Sequence, residues 1–181
     1  MSDAIARLNQ RSQEEFVNVL GTLFEHTPEI AQKAWNYRPF VDAIQLHQKM
    51  VDVVAMMSKD EQLALIRAHP NLGSKAKMAA DSVKEQAEVG LDKLSAQEYD
   101  YFQLLNQSYE DKFGFPFVIA VKSHTKADVL DAFERRLQNT TEIEITQAIA
   151  EINQIAWFRL LSWLERREVF AEQNILKHHR C

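Results

Sequence analysis

A histidine that precedes a proline is the first feature of the sequence that could carry chemistry. His69 follows an apolar stretch with helical spacing, and Pro70 pushes the backbone of His69 away from helical geometry. The imidazole is therefore expected at a rigid corner between helix and loop, a suitable place for a general acid or base. The same position also suits a histidine that only hydrogen-bonds the end of its own helix. Spacing alone leaves both interpretations open.

A second candidate is the segment Ser82-Val83-Lys84-Glu85-Gln86. A serine followed three residues later by a glutamate is the capping-box pattern, in which both side chains bind free amides at the start of a helix. The positive end of a helix can also hold an anion, so a negatively charged substrate could dock there. The capping pattern recurs elsewhere in the chain, and alone it indicates structure and not catalysis.

Arg159 is the third candidate, because it interrupts an apolar stretch. Ile155 lies four residues before it and Ile152 seven, so a helix would place the guanidinium on the apolar stripe. A charge in that position is costly unless it meets an anion. The partner could be a buried carboxylate in a structural ion pair, or the side chain could extend to solvent. It could equally be a substrate carboxylate or ureido oxygen held by two parallel hydrogen bonds.

Other kinds of site find little support in the sequence. The histidines are scattered and show no spacing typical of metal ligands, and the adjacent pair His178 and His179 lies in a tail that we expect to be frayed. There is no glycine-rich phosphate loop and no nucleophile elbow. The only cysteine, Cys181, ends the sequence. We therefore expect chemistry from His, Glu and Arg side chains without a metal or organic cofactor.

The elements that position these residues are predicted to be helices. The sequence has only four glycines and four prolines, which argues against a fold of many strands and turns. Helix starts are predicted at five capping boxes and at Thr27-Pro28. The boxes are Ser12–Glu15, Ser58–Glu61, Ser82–Glu85, Ser95–Glu98 and Thr141–Glu144. Gly90 and Gly114 are predicted to follow helix ends.

Apolar residues at helical spacing follow these starts. One face comprises Phe16, Leu20, Leu23 and Phe24; another includes Ile44, Met50, Val51 and Val54; and a long one runs from Ile145 to Leu160. The fold class is therefore predicted as all-α, a single-domain multi-helix bundle over residues 1–181, with a mobile tail at 174–181.

Residues 113–121, Phe-Gly-Phe-Pro-Phe-Val-Ile-Ala-Val, are the exception to the helical pattern. The run is apolar throughout, and Gly114 and Pro116 interrupt it. We predict an extended segment that passes through the interior. Its buried amides and carbonyls need hydrogen-bond partners, and a substrate rich in amide groups could supply them.

Charge and hydropathy limit the partners and the location. The formal net charge of −5 disfavours nucleic acid or an anionic membrane as the main partner. The first residues lack the apolar core of a signal peptide, and no apolar run approaches the roughly 20 residues of a membrane span. We expect a soluble cytoplasmic protein that draws an anionic substrate to a local cationic site.

Several motifs in order give the sequence a resemblance to a known family. They are Ala68-His69-Pro70-Asn71-Leu72-Gly73, Ser82 to Gln86, Leu105 to Val121 with its Lys-Phe-Gly-Phe-Pro-Phe core, Arg135 to Asn139, and Ile155 to Leu160. The whole resembles the 2-oxo-4-hydroxy-4-carboxy-5-ureidoimidazoline (OHCU) decarboxylases of urate degradation. The likeness runs from about Phe16 to Leu164, which is nearly the entire chain.

The resemblance implies an all-α, usually homodimeric enzyme that decarboxylates OHCU to (S)-allantoin without a cofactor. It implies catalytic roles for His69, Glu85 and Arg159. The substrate-binding positions that it implies are Pro70, Ser82, Val83, Lys84, Glu85 and Gln86, and the backbone of Phe117, Val118, Ile119, Ala120 and Val121.

One departure from the family is visible between Leu72 and Ser82, where the stretch is shorter than in many relatives. This difference could shift the edge of the site. Two other classes of function stay open at this point. One is a helical binding module without catalysis, which the presence of all three catalytic positions disfavours. The other is a lyase or hydrolase that acts on a different ureido compound.

Overall fold

The fold consists of helices joined by short connections, as the sequence predicts. The computed structural model describes the backbone of residues 2–73 and 80–178 and the side chains of 3–73, 81–122 and 124–167. This part of the chain holds no strand. Its α-helices are α1 (Ser2–Asn9), α2 (Gln13–Leu20), α3 (Glu29–Ala34), α4 (Ala43–Ala55), α5 (Lys59–Arg67), α6 (Ala80–Glu88), α7 (Ala96–Phe113), α8 (Lys126–Arg136) and α9 (Thr141–His178). Two 3₁₀ turns lie at Trp35–Tyr37 and Val121–Ser123.

Three of the predicted capping boxes start helices. Ser12, Ser58 and Ser95 each accept a hydrogen bond from the backbone of the glutamate three residues later. In return, each glutamate carboxylate accepts from the backbone of its serine. These reciprocal bonds satisfy amides that a helix start leaves unpaired. α2, α5 and α7 therefore begin where the sequence predicts.

The other two predicted capping boxes are wrong. Ser82 lies inside α6 and does not cap its start. Thr141 is the first residue of α9, and it is Thr140 whose hydroxyl accepts from the backbone of Ile143 at 3.4 Å. The pattern misleads because residues three apart share a face inside a helix as well as at its start. A further box, Thr125 with Asp128 at the start of α8, has aspartate in place of the glutamate of the predicted pattern.

The chain divides into two compact units. The first comprises the described residues of 1–57 and 156–181, and the second comprises those of 58–155. The expectation of a single domain over 1–181 stays a prediction.

In the first unit, α3 packs against α2 and α4. The predicted face of Phe16, Leu20, Leu23 and Phe24 is buried. On α4 the prediction is wrong for Ile44, which is 67% exposed. The buried stripe of α4 is instead set by Leu46, Met50, Val53 and Val54, whose spacing of four, three and one keeps one face of the helix inward.

The second unit is built around aromatic rings. Phe117 stacks on Phe133 with 3.7 Å between centroids, and Tyr109 meets the rings of Phe113, Phe115, Phe117 and Phe133. α7 ends at Gly114, whose left-handed φ of 76° turns the chain into the segment 115–120. This segment is extended, and Phe117–Val121 are at most 5% exposed. The predicted extended interior segment is confirmed.

Candidate active site

His69 is held at the end of α5 by a bond within its own chain segment. Its Nδ1 lies 3.0 Å from the carbonyl oxygen of Leu65, and its backbone N–H donates to Ile66 at 3.1 Å. A carbonyl only accepts, so Nδ1 carries the proton that it donates. The nitrogen whose protonation can change is therefore Nε2. The interpretation as a structural histidine thus describes Nδ1 alone, and a catalytic role of the ring through Nε2 stays a prediction.

The turn that follows His69 is tied to two helices. The backbone N–H of Gly73 donates to Oε1 of Gln86 on α6 at 2.9 Å. Asn106 on α7 donates from Nδ2 to the carbonyl of Leu72 at 2.8 Å. Gln86, which the resemblance assigns to substrate binding, therefore also fixes the histidine corner. Both bonds are buried, so the corner is a rigid support for the imidazole.

An open cleft of about 370 Å³ lies beside His69. Its lining residues are Arg67, His69, Asn71, Glu110, Gly114, Phe115 and Pro116. Arg67 donates from Nε to the carbonyl of Gly114 at 3.1 Å, which fixes one wall. Glu85 and residues 117–121 do not line this cleft. The cleft therefore gives access to His69 from one side and does not contain the whole set of predicted site residues.

The predicted binding segment on α6 has an inner and an outer face. Ser82 and Gln86 are buried and Glu85 is half-buried, whereas Val83 and Lys84 are exposed. Lys84 pairs with Glu88 on the outer face at 3.9 Å. α6 packs against the 3₁₀ turn Val121–Ser123. The helix that carries Glu85 therefore lies beside the end of the extended segment.

Along one edge of the extended segment, the protein itself supplies hydrogen-bond partners for the backbone. Arg136 donates from Nη1 to the carbonyl of Val118 at 2.8 Å. The N–H of Ala120 donates to Oε2 of Glu151 at 2.9 Å, and its carbonyl lies 3.1 Å from Nδ1 of His124. The protein therefore supplies partners for the carbonyl of Val118 and for the N–H and carbonyl of Ala120, and substrate contact along this backbone stays a prediction.

The other edge of the segment is different. In extended backbone the polar groups of successive residues point to opposite sides, so Phe117 and Ile119 face away from Arg136 and Glu151. Within the part of the chain that the structure describes, the backbone groups of these two residues have no hydrogen-bond partner. Buried amides and carbonyls need one, which makes this edge a candidate binding surface for an amide-rich ligand.

A buried ion pair supports that segment from behind. Arg136 donates from Nε and Nη2 to Oε2 of Glu144 at 2.9 and 2.8 Å, and Asn139 donates to Oε1 at 2.6 Å. The Tyr109 hydroxyl also donates to Glu144. Burial and this hydrogen bond raise the pKa of Tyr109 above its usual range, so the phenol stays protonated.

Sequence reasoning missed this pair, because it assigned Glu144 to a capping box. A signal was nevertheless present. Glu144 lies four residues before Ala148 and eight before Ile152, both fully buried, so it continues the apolar stripe of α9. Like Arg159, Glu144 is a charged residue on an apolar stripe, so it too needs a partner of opposite charge.

Arg159 belongs to the first unit, whereas His69, Glu85 and residues 117–121 belong to the second. Its Nη1 donates to Oε2 of Glu25 at 3.0 Å, and the side chains are only 6% and 2% exposed. Of the alternatives that the sequence leaves open, the buried ion pair is therefore present. A guanidinium has five N–H donors, so this bond is compatible with a second role.

Comparison with known proteins identifies the family and agrees with the fold. The family model described as OHCU decarboxylase matches residues 9–161. A 2-oxo-4-hydroxy-4-carboxy-5-ureidoimidazoline decarboxylase from Halalkalicoccus jeotgali is 40% identical to this chain, over 92% of this chain and 95% of its own length. The chain belongs to the OHCU decarboxylase family.

Longer relatives and solved structures extend the comparison. The uric acid degradation bifunctional protein PucL of Bacillus subtilis is 46% identical over 84% of this chain, which spans only 31% of PucL. The protein in a crystal structure of (S)-allantoin synthase is 31% identical to this chain, with a TM-score of 0.73. The match covers 88% of this chain and 53% of the synthase chain. A crystal structure of OHCU decarboxylase in the presence of (S)-allantoin, 21% identical with a TM-score of 0.62, supports the fold. The chain thus spans about a third of PucL and about half of the (S)-allantoin synthase chain, whereas its match covers 97% of the OHCU decarboxylase chain.

Proposed function

We propose that this protein is a lyase of urate breakdown that decarboxylates OHCU to (S)-allantoin and CO₂. Family membership supports the reaction, and one structural observation carries it. His69 is buried at a fixed corner with Nδ1 committed to Leu65, so proton exchange takes place at Nε2. A proton-transfer group with one defined reactive nitrogen is what a stereospecific protonation requires.

The reaction follows from the chemistry of the substrate. The bond between the hydroxyl-bearing ring carbon and its carboxylate breaks, CO₂ leaves, and the electron pair passes into the ring imine. The imine nitrogen and the ureido-bearing carbon each then take up a proton, and the hydroxyl proton is lost as a carbonyl forms. Because the ring itself accepts the electrons, we propose that the reaction needs no metal or organic cofactor.

Each predicted catalytic residue has a role in this proposal. His69 moves a proton at Nε2 and so sets the face on which the new centre forms. Glu85 accepts hydrogen bonds from the hydroxyl or ureido donors. Arg159 orients the substrate carboxylate and stabilises the negative charge that develops.

Substrate binding is proposed at the positions that the resemblance implies. These are Pro70, Ser82 to Gln86, and the backbone of Phe117 to Val121. The edge formed by Phe117 and Ile119 supports the last of these, since a ureido group offers both N–H donors and a carbonyl acceptor. On α6, the buried Ser82 and Gln86 support contact through their side chains, whereas the roles of the exposed Val83 and Lys84 rest on the resemblance alone.

At the level of the whole chain, we propose a single family domain, because the family match of residues 9–161 runs through both units. We further propose a cytoplasmic homodimer that binds neither nucleic acid nor membranes. No helix in the described residues is long and apolar enough to cross a membrane. A mass in solution of twice the 21.0 kDa chain would test the dimer.

The test is a stereochemical assay. Fresh product of urate oxidase, mixed with the downstream hydrolase and this protein, should give (S)-allantoin, followed by circular dichroism. The reaction without this protein is the control, because a protonation without an enzyme has no preferred face. A rate and dichroism equal to the control, or turnover only of a different ureido compound, would contradict the proposal.

A further inference from the structure

The carboxylate that pairs with Arg159 comes from a tightly specified turn. Glu25 lies between α2 and α3 with its side chain only 2% exposed. The next residue, His26, has a left-handed φ of 48°, which is unusual for a residue other than glycine. The hydroxyl of Thr27 donates to the carbonyl of Glu25 at 2.8 Å. These features direct the backbone so that the Glu25 side chain points inward.

Such a turn is costly, because left-handed backbone at a histidine is strained and burial of a carboxylate opposes folding unless it is paired. Two like-sized apolar side chains in place of Glu25 and Arg159 would fill the same space without the cost of burying charges. Glu25 is 134 residues away from Arg159 in the sequence, so the pair forms only in the folded unit. The arrangement therefore fixes one particular guanidinium orientation, with Nη1 on Oε2 of Glu25.

We propose that Glu25 is a positioning residue for the reaction: its carboxylate holds the Arg159 guanidinium in the orientation that binds the substrate. This inference rests on the proposed function of Arg159. Glu25 itself touches no substrate. Because a guanidinium is planar, one hydrogen bond at Nη1 restricts the directions in which its remaining donors point. Loss of that bond should weaken substrate binding through Arg159.

The experiment compares Glu25→Gln with Glu29→Gln, a matched control. Glu29 is an exposed carboxylate at the start of α3, and its substitution removes the same charge from the same region. Steady-state kinetics on OHCU and thermal melting are measured on each variant. Glu25→Gln should raise KM and lower kcat/KM by about 10- to 100-fold, the usual effect of losing a charged hydrogen bond. Glu29→Gln should match the wild type.

A double-mutant cycle with Arg159→Lys separates positioning from simple stabilisation. If Glu25 acts through Arg159, the double variant loses little more kcat/KM than Arg159→Lys alone. A lowered melting temperature with wild-type KM and kcat in the folded Glu25→Gln protein would overturn the inference. So would losses in kcat/KM that multiply in the double variant.

The design distinguishes this inference from the proposed function. A wild-type protein that does not turn over OHCU overturns both, whereas normal turnover by wild type and Glu25→Gln alike overturns only the role of Glu25. If Glu25→Gln does not fold, Glu25→Asp takes its place, since it keeps the charge but withdraws the carboxylate by one methylene. A raised KM is then expected, and an unchanged KM overturns the inference.

Discussion

At the scale of single residues, the proposed mechanism gives the two nitrogens of His69 different tasks. Nδ1 donates to Leu65, one turn back in α5, and this bond depends only on the end of that helix. Nε2 is then the position at which a proton can be gained or lost. A fixed tautomer of this kind is a common way of orienting a catalytic imidazole.

Replacement of His69 by Asn separates these tasks. The Asn amide nitrogen can take the place of Nδ1 and keep the bond to Leu65, but nothing replaces Nε2. We expect turnover to fall by about 10²–10⁴-fold, with a melting temperature close to that of the wild type. Assay of (S)-allantoin formation and thermal unfolding of the same preparation test this, and substantial activity in His69→Asn would remove the histidine from the mechanism.

Glu144 illustrates a buried charge with several partners. Replacement of Glu144 by Ala leaves Arg136 buried without its carboxylate, which typically costs about 3–5 kcal/mol of stability. The free energy of unfolding in urea measures this loss. Glu142→Ala, an exposed change in the first turn of the same helix, should cost less than about 1 kcal/mol. Similar losses in the two variants would show that the buried pair stabilises little.

A buried charge such as Arg159 could be predicted only where the neighbouring residues in the sequence form a recognisable pattern. Arg159 was visible because a charge interrupts an apolar stripe, and a buried partner was among the alternatives. That partner, Glu25, lies in a turn whose sequence gives no periodicity to interpret. Contacts between distant parts of a chain depend on tertiary packing, which single-sequence patterns do not contain.

At the scale of elements, local rules placed most helices but not all of their boundaries. Ser12, Ser58 and Ser95 cap helices because the pattern there coincides with a break before the apolar stripe. At Ser82 and Thr141 the same spacing lies within the helix. The extended segment was predicted because Gly114 and Pro116 exclude a regular helix, whereas its anchors, Arg136 and Glu151, could not be.

Thr140 and Thr141 provide a test of the corrected boundary. Thr140→Ala removes the hydroxyl that accepts from Ile143 and should cost about 1 kcal/mol of stability. Thr141 is exposed and lies after the cap, so Thr141→Ala should change stability by less than about 0.5 kcal/mol. Chemical denaturation of both variants is the measurement, and a larger effect at Thr141 would restore the boundary that the sequence pattern predicts.

At the scale of the whole molecule, the predicted site residues are not all in the same compact unit. His69, Glu85 and the extended segment belong to one compact unit and Arg159 to the other, while the family match includes both. The helical fold was predictable from the few glycines and prolines and from the helical spacing of the apolar residues. The division into units was not, because it depends on which helices pack together.

The proposed chemistry predicts independence from metal ions. The ring imine of the substrate accepts the electrons, and the described residues contain no group of three or more potential metal ligands. Dialysis against a strong chelator should leave kcat and KM for OHCU unchanged, with added Mg²⁺ or Zn²⁺ giving no increase. A loss of activity that metal ions restore would require a different mechanism.

The way in which the extended segment is anchored also bears on how the sequence can change over time. Arg136 and Glu151 bind the carbonyl of Val118 and the N–H of Ala120, main-chain groups that survive most substitutions. Proline at position 120 is the exception, because it lacks the N–H. Mutational drift within 117–121 is thus limited by side-chain volume in the aromatic core. The position of the segment depends instead on two residues outside it, Arg136 and Glu151, which bind its main chain.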